Sequence, residues 1–307
     1  MRKSYSVHLN LLLLAFSLIA VGITGCSAQS TASQFDANRA FSYLKKQCEF
    51  GPRPVGTEAH EKVKAYLLEE LKKSADSVQT QDFEHTRSEK TYKLSNIIAR
   101  FGKQDRPAVL LCAHWDTRPT ADQEIEPTQR NKPILGANDG ASGVAVLLEL
   151  ARLFAKKLPP VPVMIVLFDG EDFGPTSEHM FLGSRHFAKN VRKTTIRYGI
   201  LLDMVGDKEL TIYRERNSNE RARWVVDKVW STASKLNFNK VFSNQVKYTI
   251  IDDHVPLIDA GIPCIDVIDF DYAYWHTLQD TVDKCSPDSL RIVGETIASV
   301  VYSEPPD

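Results

Sequence analysis

The stretch Val163-Met-Ile-Val-Leu-Phe-Asp-Gly-Glu-Asp172 decides the fold class of this 307-residue chain. Its first six residues are all apolar, as in a strand that is buried on both faces of a parallel sheet. An acidic turn follows at once, and α/β sheets build their sites just beyond the carboxyl ends of parallel strands. The stretch therefore predicts a buried strand with a site at its end.

Similar patterns extend outward from this strand in both directions. Strand-like runs lie at 79–85, 91–101, 108–113, 198–202 and 262–268, and helical spacing marks 36–50, 57–74, 142–158, 221–236 and 287–302. Strands that alternate with helices indicate a parallel or mixed sheet covered on both faces, and the early pair of strands indicates an antiparallel edge. We predict an α/β fold: a single globular domain with a mixed, mostly parallel central β-sheet and helices on both faces.

The N-terminus has the pattern of an export signal. Arg2 and Lys3 precede an apolar run at 11–23, which is shorter than the roughly 18 residues of a membrane span. The pair Gly25-Cys26 then resembles a bacterial lipobox. An ordinary signal peptide is the alternative.

These features predict three segments: a lipoprotein-type signal peptide at 1–25, a flexible tether at 26–35 and a catalytic domain at 36–307. We expect an exported bacterial lipoprotein that faces the periplasm or the outside. Its only contact with the membrane would be a lipid anchor at Cys26.

Charge and cysteine content exclude other kinds of site. The net charge is −1 with acidic and basic residues interleaved, so no basic stripe indicates nucleic-acid binding. The absence of a CxxC motif or Cys/His cluster argues against thiolate-bound zinc. Cys112 and Cys264 lie in apolar runs typical of small buried residues. The sequence assigns no disulfide among Cys48, Cys112, Cys264 and Cys285 and leaves their pairing open.

Metal ligands and carboxylates follow the first and third buried strands. His114 suits zinc, and Asp116 is of the right type to hold its tautomer. Asp139 precedes a long helix, where it is either a metal ligand or a helix N-cap. Asp203 ends the strand 198–202, where a charge needs an ion-pair partner or a metal.

The other two strands end in similar chemistry. Glu171 and Asp172 are adjacent after a glycine, so one can bind metal while the other remains a general base. His276 follows Trp275, which indicates a pocket wall beside a ligand. The segment 252–254 (Asp-Asp-His) is either a helix N-terminus or a further acidic part of the site. The remaining histidines have no partner pattern and are interpreted as surface residues: His8, His60, His85, His179 and His186.

Together these segments resemble the zinc-dependent M28 peptidase clan over residues 36–300, and within it most closely the glutaminyl cyclases (glutaminyl-peptide cyclotransferases). The clan likeness rests on His114-x-Asp116, Asn138-Asp139-Gly-Ala-Ser-Gly, Gly170-Glu171-Asp172, Asp203 and His276-Thr277. The cyclase likeness rests on Phe168-Asp-Gly-Glu171, Gly183-Ser-Arg-His186, Leu201-Leu-Asp203, Asp252-Asp-His-Val-Pro256 and Trp275-His276. The resemblance implies a zinc exopeptidase (phosphorylase/hydrolase-like) fold.

The cyclase resemblance also implies an activity, the conversion of N-terminal glutamine to pyroglutamate with release of ammonia. It implies one Zn²⁺ with three protein ligands, namely Asp139, Asp172 and His276. Glu171 would be the general base and acid, and Asp203 and Asp252 a supporting acidic network. Trp275 would line the pocket that receives peptide or protein N-termini.

The main alternative is a dizinc M28-type aminopeptidase. There Asp139 would bridge two zinc ions, with His114 and Asp203 on the second ion, and Glu171 would activate water. Trp275 and the doubled Asp at 252–253 favour the cyclase. A non-catalytic binding lipoprotein is a third hypothesis, but it predicts losses among the ligands or the base, and none is lost.

Three positions depart from the cyclase pattern. Asp172 stands where the family usually has Glu, so its backbone must lie closer to the metal. The loop Phe173–Met180 is short and lacks the Trp that animal cyclases carry there. Asp266 replaces a family His. These departures bear on how substrate fits rather than on metal binding.

Overall fold

The computed structural model describes Met1 and residues 34–306, and its centre is a six-stranded sheet. Its strands are β1 (Ser77–Arg87), β2 (Lys90–Phe101), β3 (Ala108–His114), β4 (Val163–Phe168), β5 (Ile196–Asp203) and β8 (Cys264–Ile268). Two further strands, β6 (Ile212–Glu215) and β7 (Phe242–Lys247), lie outside this sheet. The sheet order is β1-β2-β4-β3-β5-β8. β4, β3, β5 and β8 are parallel, while β1 and β2 form an antiparallel edge. The predicted fold class is confirmed.

Helices cover both faces of this sheet. They are α1 (Ala37–Glu49), α2 (Glu58–Lys72), α3 (Ala141–Lys156), α4 (Leu182–Asn190), α5 (Arg216–Arg221), α6 (Arg223–Lys235), α7 (His254–Asp259) and α8 (Pro287–Tyr302). Short 3₁₀ turns lie at Pro127–Gln129, Ser177–His179, Lys193–Thr195 and Val282–Lys284.

Alternation along β3 shows how the two faces are built. Val109 and Leu111 pack into a core with α1, α2, α3, α6 and α8, whereas Leu110 and Cys112 pack into a second core with α4 and α7. Fully burying each aliphatic side chain contributes about 1.5–3 kcal/mol. The continuous apolar run is therefore what a strand with two covered faces requires.

Some elements were not predicted from the sequence. α4 follows the site loop, and β6 and β7 form a separate two-stranded parallel sheet. The sequence of β7, Phe-Ser-Asn-Gln-Val-Lys, is mostly polar and largely exposed. It carries little of the hydrophobic periodicity on which such a prediction rests.

The structure also bears on the N-terminal segments and the cysteines. Phe35, which we placed at the end of the tether, is buried, and its ring packs against Gly294 of α8. The predicted signal peptide, Cys26 and His8 lie outside the described residues. Within residues 34–306 the four cysteines are free, and no helix is long and apolar enough to cross a membrane.

Candidate metal centre

The carboxyl ends of the parallel strands bring the predicted site residues together. His114 is the last residue of β3 and Asp203 the last of β5, while Glu171 and Asp172 follow β4. Asp139 precedes α3, and the loop after β8 supplies His276. All six are buried. Parallel strands end at one edge of a sheet, so residues scattered over 163 positions of sequence meet there.

Asp139, Asp172 and His276 form a compact set of ligand atoms. His276 Nε2 lies 3.6 Å from Asp139 Oδ2 and 3.5 Å from Asp172 Oδ1. Two ligands of a tetrahedral zinc, each about 2.0–2.1 Å from the metal, lie about 3.3 Å apart. Asp172 Oδ2 is buried without a hydrogen-bond partner. Two carboxylates and an imidazole in this arrangement fit a zinc ion.

Asp139 acts as a ligand candidate rather than as a helix cap. The N-cap position of α3 is Gly140, with no side-chain capping hydrogen bond. A Cβ on Gly140 would lie 2.3 Å from His114 Nε2, so only glycine lets the helix start against this imidazole. Asp280, which the sequence analysis missed, holds the turn by accepting hydrogen bonds from the Asn138 and Asp139 N–H groups at 2.8 and 3.2 Å.

His114 lies between two carboxylates. Its Nε2 is 3.0 Å from Asp139 Oδ1 and 3.2 Å from Asp203 Oδ1. Burial lowers the pKa of His114, but Asp116, Asp139 and Asp203 outweigh that effect and raise it well above the usual value. The three carboxylates therefore favour the protonated form of His114.

Asp116 has a different main contact from the predicted one. Its Oδ1 is 3.6 Å from His114 Nδ1, which is too long for a hydrogen bond. Its two oxygens instead accept the backbone N–H groups of Glu171 and Asp172 at 3.1 and 3.2 Å. Asp116 therefore holds the acidic turn in place.

Arg118 and Asp122 connect two of the ligand candidates, and neither was predicted. Arg118 Nη1 donates to Asp172 Oδ1 at 2.9 Å, and its Nε and Nη2 donate to Asp122 Oδ2 at 3.0 and 2.8 Å. Asp122 Oδ1 lies 3.0 Å from His276 Nδ1, which orients the other ring nitrogen towards the site. The sequence feature that could have indicated this pair is the i,i+4 spacing of Arg118 and Asp122, which follow the strand that ends at His114.

Glu171 faces a narrow cavity of about 70 Å³ above these groups, together with Asp203 and Asp252. Burial and then the charge of Asp172 raise the pKa of Glu171 well above its usual value. Burial and then the charge of Asp203 do the same for Asp252. Glu171 and Asp252 therefore hold protons to higher pH than ordinary carboxylic acids do.

The rest of the cavity wall is apolar. Trp275 stacks on His276 with ring centroids 4.1 Å apart, and Phe270 packs against Trp275 at 5.1 Å. Other apolar lining residues are Met180, Met204, Ile250, Ile251 and Ile268. Trp275 is therefore where we predicted it, beside a ligand candidate at the cavity.

The segment 252–254 serves both of its predicted alternatives. Asp252 lines the cavity, and α7 begins at His254. Behind the cavity, His254 Nε2 lies 3.2 Å from Glu215 Oε2. Asp266 is fully buried with neither oxygen hydrogen-bonded, and burial raises its pKa well above the usual value.

The interpretation of His60 as a surface residue is wrong. His60 is fully buried, with Nε2 2.8 Å from Asp169 Oδ1 and its ring stacked on Trp115. The other described histidines of that set, His85, His179 and His186, are partly exposed. The partner of His60 is 109 positions away, which local sequence did not indicate.

Comparison with known proteins finds related enzymes. The profile of Peptidase family M28 matches residues 96–301. The glutaminyl cyclase of Bacteroides thetaiotaomicron, solved bound to N-acetylhistamine, is 37% identical with a TM-score of 0.85, covering 89% of this chain and 99% of that one. A leucine aminopeptidase precursor from the same species is 37% identical with a TM-score of 0.86, covering 89% and 98%.

Curated relatives include both kinds of enzyme. Glutaminyl-peptide cyclotransferase of Drosophila melanogaster is 25% identical over 276 residues, which is 79% of this chain and 75% of that protein. Other curated relatives are longer. For example, the chain spans 40% of Aminopeptidase YwaD of Bacillus subtilis, at 26% identity.

Proposed function

The chain belongs to Peptidase family M28, a family of zinc-dependent enzymes, and on this premise we propose that it is a glutaminyl-peptide cyclotransferase. It would convert the N-terminal glutamine of peptides or proteins to pyroglutamate, release ammonia and bind one zinc ion. Asp139, Asp172 and His276 would hold that ion.

One observation carries the choice of the cyclase: Trp275 stacks on His276 at the cavity, where the cyclase resemblance places it. The single zinc is part of this proposal, because His114 Nε2 lies 3.0 Å from Asp139 and 3.2 Å from Asp203, which is also close to the ligand spacing of zinc.

A bound zinc would supply Lewis acidity towards the side-chain amide carbonyl of glutamine. The α-amine attacks the amide carbon, so that a ring C–N bond forms and the C–NH₂ bond breaks. Glu171 accepts the proton from the amine and returns it to the departing ammonia. Asp203 and Asp252 lie beside it and would orient the amine. The wall formed by Trp275 keeps water away, and no water is consumed.

A dizinc aminopeptidase is the second candidate. His114, Asp139 and Asp203 each offer a ligand atom, and these atoms lie within 4.8 Å of one another. If His114 lost its proton, the three would suit a second metal. Glu171 would then take a proton from water, and the product would be a free amino acid.

The two functions differ in product and metal content. We would express residues 30–307 and measure ammonia release from Gln-initiated peptides, amine release from Leu and Ala anilides, and zinc per chain. Cyclisation with about one zinc supports the proposal. Rapid Leu hydrolysis with about two zinc ions would establish the aminopeptidase instead.

A further inference from the structure

A groove of about 350 Å³ lies between α4 and α7, beside the metal-centre cavity. Its apolar surface includes Phe181 from the start of α4 and Val255 and Pro256 from α7. Its volume is within the range of about 300–1,000 Å³ that is typical of ligand pockets.

Ile251 joins this groove to the cavity. Its side chain lines both, and it precedes Asp252 directly. Ile251 is 65% exposed, which is unusual for a large aliphatic residue. Its position between an apolar groove and the cavity makes it a surface that a ligand spanning both would cover. A peptide whose N-terminus enters the cavity can therefore leave it past Ile251 into the groove.

The groove is also positively charged on its α4 side. Arg185 contacts the backbone oxygen of Glu178 at 3.4 Å and lies over the ring of Phe181. Among the described residues, neither Arg185 nor Lys189 forms an ion pair with a carboxylate. The one acid in the lining, Asp259, is already paired with Arg221 at 2.7 Å.

We propose that this groove binds the residues that follow the N-terminal residue of a peptide substrate, and that it selects acidic side chains among them. The inference rests on the part of the proposed function that brings a peptide N-terminus into the cavity. The Ile251 rim would contact the peptide beyond its first residue, and Arg185 and Lys189 would pair with its carboxylates.

Matched peptides test this selection. The rate constant kcat/KM is measured for Gln-Glu-Glu-Phe amide and Gln-Lys-Lys-Phe amide, each normalised to the dipeptide Gln-Ala. The acidic peptide should be favoured by about threefold or more through KM, as expected for two solvent-exposed ion pairs. The preference should shrink in high salt because exposed charges are screened.

The variant Arg185→Glu/Lys189→Glu should reverse the preference. The control Lys235→Glu/Lys240→Glu changes the net charge equally at exposed positions outside the groove, and should leave the preference as it is. If the groove variant still cyclises Gln-Ala but keeps the preference for the acidic peptide, the groove does not select acidic residues. That result would overturn the groove proposal and leave the proposed function intact.

A parallel series with leucine in place of glutamine separates the two ideas. If only leucine peptides are turned over, the cyclase proposal fails. The groove proposal is then tested by whether Arg185→Glu/Lys189→Glu reverses the preference between acidic and basic leucine peptides. No turnover of either series would overturn both.

Discussion

Replacing Arg118 with methionine is expected to weaken zinc binding by about 10- to 100-fold, the range measured for groups that orient metal ligands. Arg118 donates to Asp172 Oδ1 at 2.9 Å and to Asp122, which in turn contacts His276. A hydrogen bond to a charged group contributes about 1.5–3 kcal/mol. At about 1.4 kcal/mol per tenfold, the Asp172 bond alone accounts for this loss.

Charge acts in the opposite direction, because removing a cation leaves the ligands more negative towards a metal. We expect orientation to outweigh charge, since Arg118 is buried and connects both ligands. Zinc affinity would be measured by competition with a chromophoric chelator. Arg118→Lys should recover part of the loss, because a single ammonium cannot reproduce the three donors of the guanidinium fork.

The surface variant Arg130→Ala serves as the control, since Arg130 is exposed and donates only to a backbone oxygen. Zinc binding by Arg118→Met that is unchanged, or tighter, would refute the reasoning. It would mean that Asp172 and His276 keep their positions without the hydrogen bonds from Arg118.

Three further predictions concern the site, and a fourth concerns the N-terminal pattern. Glu171→Gln should lower turnover by roughly 100-fold or more with zinc retained, measured by steady-state kinetics and metal analysis; loss of zinc would mean that the ligand and the base are assigned the wrong way round. His114→Ala should keep about one zinc per chain, as metal analysis would show, because the first-ion ligands do not include it; an apoprotein would contradict this. Gly140→Ala should destabilise the fold by about 1–3 kcal/mol in denaturant unfolding, because the new Cβ would meet His114; an unchanged midpoint would show that the turn yields. Cys26→Ser should abolish incorporation of labelled palmitate in a bacterial host, and continued labelling would exclude the lipobox interpretation.

Much of the fold and most of the site were predictable from the sequence for one reason. Apolar runs such as 108–113 and 163–168 identify doubly covered strands by themselves. Parallel strands end at a common edge, so His114, Glu171 and Asp203 had to meet once the strands were identified. The outcome confirms their proximity, while their roles remain proposals.

Other features required the tertiary structure. The polar strand β7 and helix α4 owe their conformation to packing partners rather than to a strong local pattern. Asp116 was expected to serve a histidine two residues away, but its oxygens bind backbone groups 55 and 56 positions along the chain. His60 was assigned to the surface because Asp169 is 109 positions away.

The sequence by itself therefore determined the sheet, its edge and the chemical identity of the metal-centre residues. The tertiary structure decided which atoms those residues contact: Arg118 on Asp172, Asp122 on His276, and Ile251 between cavity and groove. The physical reason is the distance along the chain over which each effect acts. Hydrophobic periodicity is a property of neighbouring residues, whereas hydrogen bonds and ion pairs inside the site join residues that only the packed sheet brings within 3 to 4 Å of one another.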